Sequence, residues 1–270
     1  MSKKNQKYYK PVKKPEQKST PVVHKKATSN KPVVNGQYRY GILGGILVVT
    51  FWCYHYSLQN QFLNWDDGVY VYLNKYIRSF SMSNLKMMLF HGITPSNYHP
   101  FAMVSLAINY HFSQLHPSMY YPNILIHLAN ASLIFILSEK LCKRLNLSDT
   151  KSLFVAAFCA LWFGIHPMHV ESVSWISERK DVLYTFFYIL GLLTYINYIE
   201  ERSIKWYVLT ILLFITSCLS KPMAVTFPLA LFSFDFLLGR KLDKKLIIEK
   251  NPPISLLFIF RFTGLLYSER

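Results

Sequence analysis

Residues 40–58 read YGILGGILVVTFWCYHYSL, nineteen positions with no Asp, Glu, Lys or Arg. A helix needs about 20 apolar residues to cross the hydrocarbon core of a bilayer, so this run is long enough. A basic stretch leads into it. The run is too long for a secretory h-region, the basic lead is far too extended, and no small-residue cleavage site follows. The stretch therefore reads as an uncleaved transmembrane helix, Tyr40 to Leu58, with its basic side in the cytoplasm.

The rest of the chain agrees with that reading. It has 270 residues, of which 51% are hydrophobic and only 16% charged. A soluble domain carries about a quarter charged residues, so a soluble globular class is excluded. Ten Lys and one Arg against one Glu in residues 1–40 place +10 of the net +16 there. Residues 1–39 are rich in Lys, Pro, Ser, Thr and Asn without apolar periodicity, and read as a disordered cytoplasmic tail. Its charge is explained more simply by anionic membrane lipid than by nucleic acid, which is not an expected partner. Four scattered Cys, mostly in apolar runs, offer neither a disulfide framework nor metal-ligand spacing.

Further apolar runs follow at about Tyr120–Leu141, Ser152–Ile165, Val182–Ile199, Ile204–Leu219 and Met223–Leu238, and a seventh begins near Leu246. The expected fold is all-α: a polytopic integral membrane protein of six or seven transmembrane helices. The transmembrane part covers 40–250, and 251–270 forms an incomplete seventh span. A first external loop, 59–119, holds interfacial helices. One runs from Ser79 to Phe90, capped by Ser81 or Ser83. A second, Phe101–Leu115, has Ser105, Asn109 and Ser113 on one face. Pro95, Asn97 and Pro100 mark a turn between them. Asn123, His127 and Asn130 share a face of the second span. They must look inward, toward either helix partners or a substrate groove, because lipid cannot satisfy them.

With the tail inside, most loop Lys and Arg fall on the cytoplasmic side. The other face gathers Asp66, Asp67, Tyr98 and His99 from the first loop, and His166, His169, Glu171, Glu178, Arg179, Lys180 and Asp181 from the second. Lys221 joins them from the turn between spans five and six. Adjacent carboxylates at Asp66 and Asp67 are costly to hold side by side. They suit a general base, or a hard divalent cation should one be needed. Arg and Lys suit a phosphate leaving group. Each piece also has a plainer reading: a polar turn at Asp66-Asp67-Gly68, a solvated charge run at Glu178–Asp181, interface histidines, and a snorkelling lysine.

The segments Asn64-Trp65-Asp66-Asp67-Gly68-Val69-Tyr70, Asn97-Tyr98-His99-Pro100-Phe101, His166-Pro167-Met168-His169-Val170-Glu171 through Ser177-Glu178-Arg179-Lys180-Asp181, and Leu219-Ser220-Lys221-Pro222-Met223 carry a family likeness. They resemble the transmembrane-and-TPR-repeat protein O-mannosyltransferases, and more closely their prokaryotic relatives, within the GT-C glycosyltransferase superfamily. The likeness covers about residues 40–245.

The resemblance implies a polyprenyl- or dolichyl-phosphate-linked sugar donor, and an acceptor hydroxyl on a protein or glycan. It implies Asp66 or Asp67 as base, with Asp67 preferred. It places His99, His166, His169, Arg179 and Lys221 about the lipid phosphate, with Tyr98, Glu171 and Asp181 in the same substrate site. TPR repeats, paired helices of about 34 residues, are absent from these 270 residues. The chain thus reads as the truncated membrane part of such an enzyme. The alternative is a non-catalytic membrane module serving as a scaffold.

Overall fold

The computed structural model describes residues 36–91 and 98–240, with 244, 246, 249, 250, 253 and 255. The tail before Gly36, the Pro95–Asn97 part of the expected turn, and most of 251–270 lie outside the described residues. Within them every regular element is a helix.

Helix α1 spans Gly36–Tyr54 and continues as a 3-10 turn, His55–Gln59. It begins four residues before the expected start at Tyr40. Helix α2 spans Met82–Phe90, where Ser81 caps the end by accepting from the Asn84 N–H at 3.2 Å. Helix α3, Pro100–Ser113, starts on a proline, whose missing N–H costs nothing in a first turn. Helix α4 is Tyr121–Arg144, and α5 is Asp149–Ile165, capped by Ser148. Short α6, Val170–Ser174, leads into α7, Arg179–Glu201. Helix α8 is Ile204–Ser220, and a 3-10 turn at Pro222–Thr226 leads into α9, Phe227–Leu237.

Among the described residues three helical stretches are long and apolar enough to cross a membrane: Gly36–Gln59, Ser118–Arg144 and Ile176–Glu201. A fourth is counted when α5 is joined to Pro167–Ser174 across a 49° bend. Helices Ile204–Ser220 and Pro222–Leu237 are shorter apolar segments. The molecule is an all-α membrane protein, and the six or seven runs of hydropathy resolve into these long and short classes.

Lipid is as apolar as leucine, so such helices are held by close packing and internal hydrogen bonds rather than by hydrophobic burial. Helix α5 is built for close packing. Ser152, Ala156, Ala160 and Gly164 recur every fourth residue and all are buried. Ala156 and Ala160 pack in one core with Ile46 of α1 and Phe135 of α4. A second core joins α4, α7, α8 and α9 through Leu137, Ile189, Leu192, Phe214 and Phe227.

One end of the bundle is closed by ion pairs. Glu139 takes Arg39 and Lys143, and Glu200 takes Lys140 and Arg144, both at 2.8 Å. There too a buried Asp235 accepts from Tyr195 and pairs with Arg240 and Lys250, each at 2.8 Å. The opposite end carries the long loop between α1 and α4.

A Cβ added at Gly164 would lie 2.3 Å from Thr50 Oγ1, on buried Thr50 of α1. Gly164→Ala is therefore expected to destabilise the protein by roughly 1–3 kcal/mol. Adding Thr50→Ala removes the clashing hydroxyl and should restore most of the loss. Thermal unfolding of the purified protein in detergent measures both.

Candidate functional site

At the long-loop end, the chain leaving α1 is stitched to the segment around α6. Ser57 Oγ and Ser174 Oγ are 2.6 Å apart, and the Asn60 side chain donates to the Ser174 carbonyl at 3.0 Å. Tyr120 donates to the Gln61 carbonyl at 3.0 Å. The two adjacent aspartates follow directly, and the structure treats them differently.

Asp67 is fully buried. Its Oδ2 accepts from the Leu63 N–H at 2.7 Å. Its Oδ1 accepts from Trp175 Nε1 at 2.7 Å and from the Ser177 hydroxyl. Asp66, half-buried, makes no hydrogen bond or ion pair among the described residues. The two carboxylates thus do not act as a matched pair. The donors Trp175 and Ser177 lie inside the long central motif, but nothing in their spacing marks them as partners of Asp67.

Behind Asp67 lies a charge cluster. Lys180 pairs with Glu178 at 2.7 Å. Lys221 bonds Asp181 and reaches Glu178 at 3.5 Å. Ser172 donates to the other oxygen of Asp181 at 3.0 Å. Lys180 also stands 4.8 Å over the ring of Tyr70. Glu178 and Lys180 are buried, so this stretch is not a solvated charge run. His99 is 4% exposed, and its Nδ1 has no hydrogen-bond partner. Burial, reinforced by the charges of Lys180 and Lys221, pushes its pKa down to about 4. It is held neutral.

His166 and His169 sit on the α4–α5 side of this cluster. Their ring centroids are 5.8 Å apart, and His169 is 5.7 Å from His127. A small cavity of about 70 Å³ lies between His127, Asn130, His169, Ser172 and Asp181. Asp181 is thus the hub between the lysine cluster and the histidines. Glu171 is exposed and forms no hydrogen bond or ion pair with that cluster among the described residues. Tyr98 donates to the Leu89 carbonyl at the end of α2.

Arg179 stands apart. It is fully buried and has no carboxylate partner among the described residues. Its guanidinium donates to Asn123 Oδ1, to Asn109 Oδ1 at 2.8 Å, to the Met119 carbonyl at 2.9 Å and to Ser105 Oγ at 3.3 Å. The polar stripe of α3 therefore turns inward, and Arg179 fastens α3 and α4 to the start of α7. Asn123 also donates to the Trp175 carbonyl at 3.0 Å. His127 donates to the Gly164 carbonyl at 3.0 Å, and Asn130 to the Val182 carbonyl at 2.9 Å. The inward face of α4 is thus spent on helix partners.

Beyond Arg179 lies a groove of about 630 Å³. Phe101, Val104, Ile108, Phe112, Leu183 and Phe187 line it, with Ser105 and Asn109 at its polar side.

Among the described residues no group of three or more His, Cys, Asp or Glu is placed to hold a metal ion. Both oxygens of Asp67 are already taken by protein donors, so an Asp66–Asp67 cation site does not fit this geometry.

The chain is similar in sequence to proteins named protein O-mannosyl-transferases. Human protein O-mannosyl-transferase TMTC3 is 31% identical over 133 residues, 48% of this chain and 14% of the relative. Mouse protein O-mannosyl-transferase TMTC2 is 30% identical over 167 residues, 60% of this chain and 19% of the relative. Human protein O-mannosyl-transferase TMTC4 is 26% identical over 234 residues, 77% of this chain and 30% of the relative. The chain is similar to these proteins, as its motifs suggest, and spans less than a third of their length in each alignment. No family model matches it, and no solved structure does.

Two outcomes follow from this geometry. Arg179→Lys keeps the charge but cannot reach four acceptors on three elements, so it should cost roughly 3 kcal/mol or more, read as loss of folded protein in detergent. For His99, the unfolded chain takes up a proton near pH 6.5 while the folded chain resists it until about 4. Its contribution to stability, about 3 kcal/mol, is full above pH 6.5 and is lost as pH falls toward 4. Unfolding midpoints measured across that window should fall more steeply in the wild type than in His99→Gln.

Proposed function

We propose that this chain carries the sugar-transfer site of a membrane glycosyltransferase that acts on acceptor hydroxyls, with protein O-mannosylation as the activity. The donor is a polyprenyl- or dolichyl-phosphate-linked sugar, and the acceptor is a Ser or Thr hydroxyl. The long-loop end faces away from the cytoplasm. The concentration of Arg39, Lys140, Lys143, Arg144 and Arg240 at the opposite end supports that orientation.

The observation that carries this reading is the contrast between the two aspartates. A general base needs a carboxylate with free lone pairs and access to the substrate. Asp66 meets that description and Asp67 does not. We therefore assign the base to Asp66, which reverses the preference drawn from position. The acceptor oxygen attacks the anomeric carbon, and its proton passes to Asp66. The bond between that carbon and the phosphate oxygen breaks, and the lipid phosphate leaves with the electron pair.

Lys221 is the cation assigned to that phosphate. An ammonium has three N–H groups, and Asp181 and Glu178 take two of them. The groove beside α3 and α7 gives the prenyl chain an apolar bed.

The test is transfer of radiolabelled mannose from polyprenyl-phosphate-mannose to acceptor in isolated membranes, at matched expression. Asp66→Asn should slow transfer by ~10²-fold or more while leaving the unfolding midpoint unchanged. Asp67→Asn should lower the unfolding midpoint, because one buried oxygen becomes an NH2 group that faces a donor and leaves it unpaired. Transfer by Asp66→Asn at the wild-type rate would overturn the assignment.

A further inference from the structure

We propose that Trp175 and Ser177 are positioning residues for this transfer, acting through Asp67 to hold Asp66 in register with Lys221. The proposal rests on the reading of Asp66 as the base.

The geometry is specific. Asp67 is separated in sequence from Trp175 by 108 residues and from Ser177 by 110. Its one carboxylate spans both segments. Oδ2 closes a short ring onto the Leu63 N–H, four residues upstream, which shapes the backbone that presents Asp66. Oδ1 takes both donors from the 175–177 stretch. On the far side of Asp67 the chain enters a π-turn, Gly68–Tyr72, closed by Leu73 N–H to the Gly68 carbonyl at 2.9 Å. Asp66 is therefore held between a fixed ring and a fixed turn.

Ser177 is followed directly by Glu178, which contacts Lys221, and four residues on by Asp181, which bonds it. Three residues of chain thus connect the hydrogen bonds that fix the base to the carboxylates that fix the leaving-group cation. Asn123 holds the same stretch from behind, through the Trp175 carbonyl. A misplacement of about 1 Å between reacting groups can cost ~10²-fold in rate. Trp175 and Ser177 touch neither donor nor acceptor in this scheme, so their contribution is geometric.

The test uses Trp175→Phe, which keeps a ring and removes the N–H, and Ser177→Ala, which removes the hydroxyl. Both are compared with wild type at equal amounts of folded protein. Each change should lower kcat by roughly 10-fold while KM for the donor stays within about 2-fold. Added to Asp67→Ala, the two together should cause no further loss, because the shared acceptor is already gone. A structural role alone would give additive losses and no such split between kcat and KM.

An activity-independent readout accompanies the kinetics: carbodiimide-plus-amine labelling of each aspartate, followed by mass spectrometry. Asp66 should label and Asp67 should be spared in the wild type, and Asp67 should become reactive in Trp175→Phe/Ser177→Ala. Wild-type kcat in both variants, or equal labelling of the two aspartates in the wild type, would overturn the proposal. Absence of transfer by the wild type would instead count against Asp66 as base, and the labelling contrast would still decide whether Trp175 and Ser177 hold the pair.

Discussion

A carboxylate out of water must have its oxygens hydrogen-bonded or it does not stay charged. At the loop end of this protein Asp67 meets that requirement without a cation, and its partners come from two distant parts of the chain. The consequence is structural before it is chemical. Satisfying Asp67 draws the segment after α1 against the segment before α7. Ser57, Asn60 and Tyr120 make the same junction with weaker, neutral bonds. Asp66 is left beside the junction with its oxygens uncommitted. The low-dielectric setting that makes the bonds to Asp67 strong also makes their loss costly.

A second buried charge solves the matching problem on the other side. Among the described residues Arg179 has no counter-ion, and neutral oxygens from three elements surround it. It thereby decides which way α3 faces, since Ser105 and Asn109 must look toward the guanidinium. That leaves Phe101, Val104, Ile108 and Phe112 to line a groove. Along α5 the bundle relies on contact rather than charge. The Ser152, Ala156, Ala160 and Gly164 stripe lets α5 approach its neighbours closely, which is how helices associate when lipid removes the hydrophobic incentive.

The helical plan was legible in the sequence because hydropathy over nineteen residues is a local property. Tyr40–Leu58 falls within α1 and its 3-10 extension, and Ser81 caps α2 as its position suggests. The inward face of Asn123, His127 and Asn130 was legible too, since their spacing puts them together and lipid cannot satisfy them. The candidate residues were legible as a set, and their arrangement was not. Two adjacent aspartates look alike in sequence, and the two side-chain donors that single out Asp67 lie more than a hundred residues away. Arg179 reads as an anion holder for the same reason: its charge is visible, and the four neutral acceptors that occupy it are not. Asp235, one charge in an apolar run, gave no sign of the Tyr195, Arg240 and Lys250 that surround it.

The most direct measurement is an experimental structure of the chain in lipid with a polyprenyl-phosphate sugar and an acceptor peptide bound. The account predicts an Asp66 oxygen about 3 Å from the acceptor hydroxyl. It also predicts Asp67 still bonded to Leu63, Trp175 and Ser177, with Lys221 on the donor phosphate. An Asp67 released from those three donors and turned onto the acceptor, with Asp66 facing away, would contradict it.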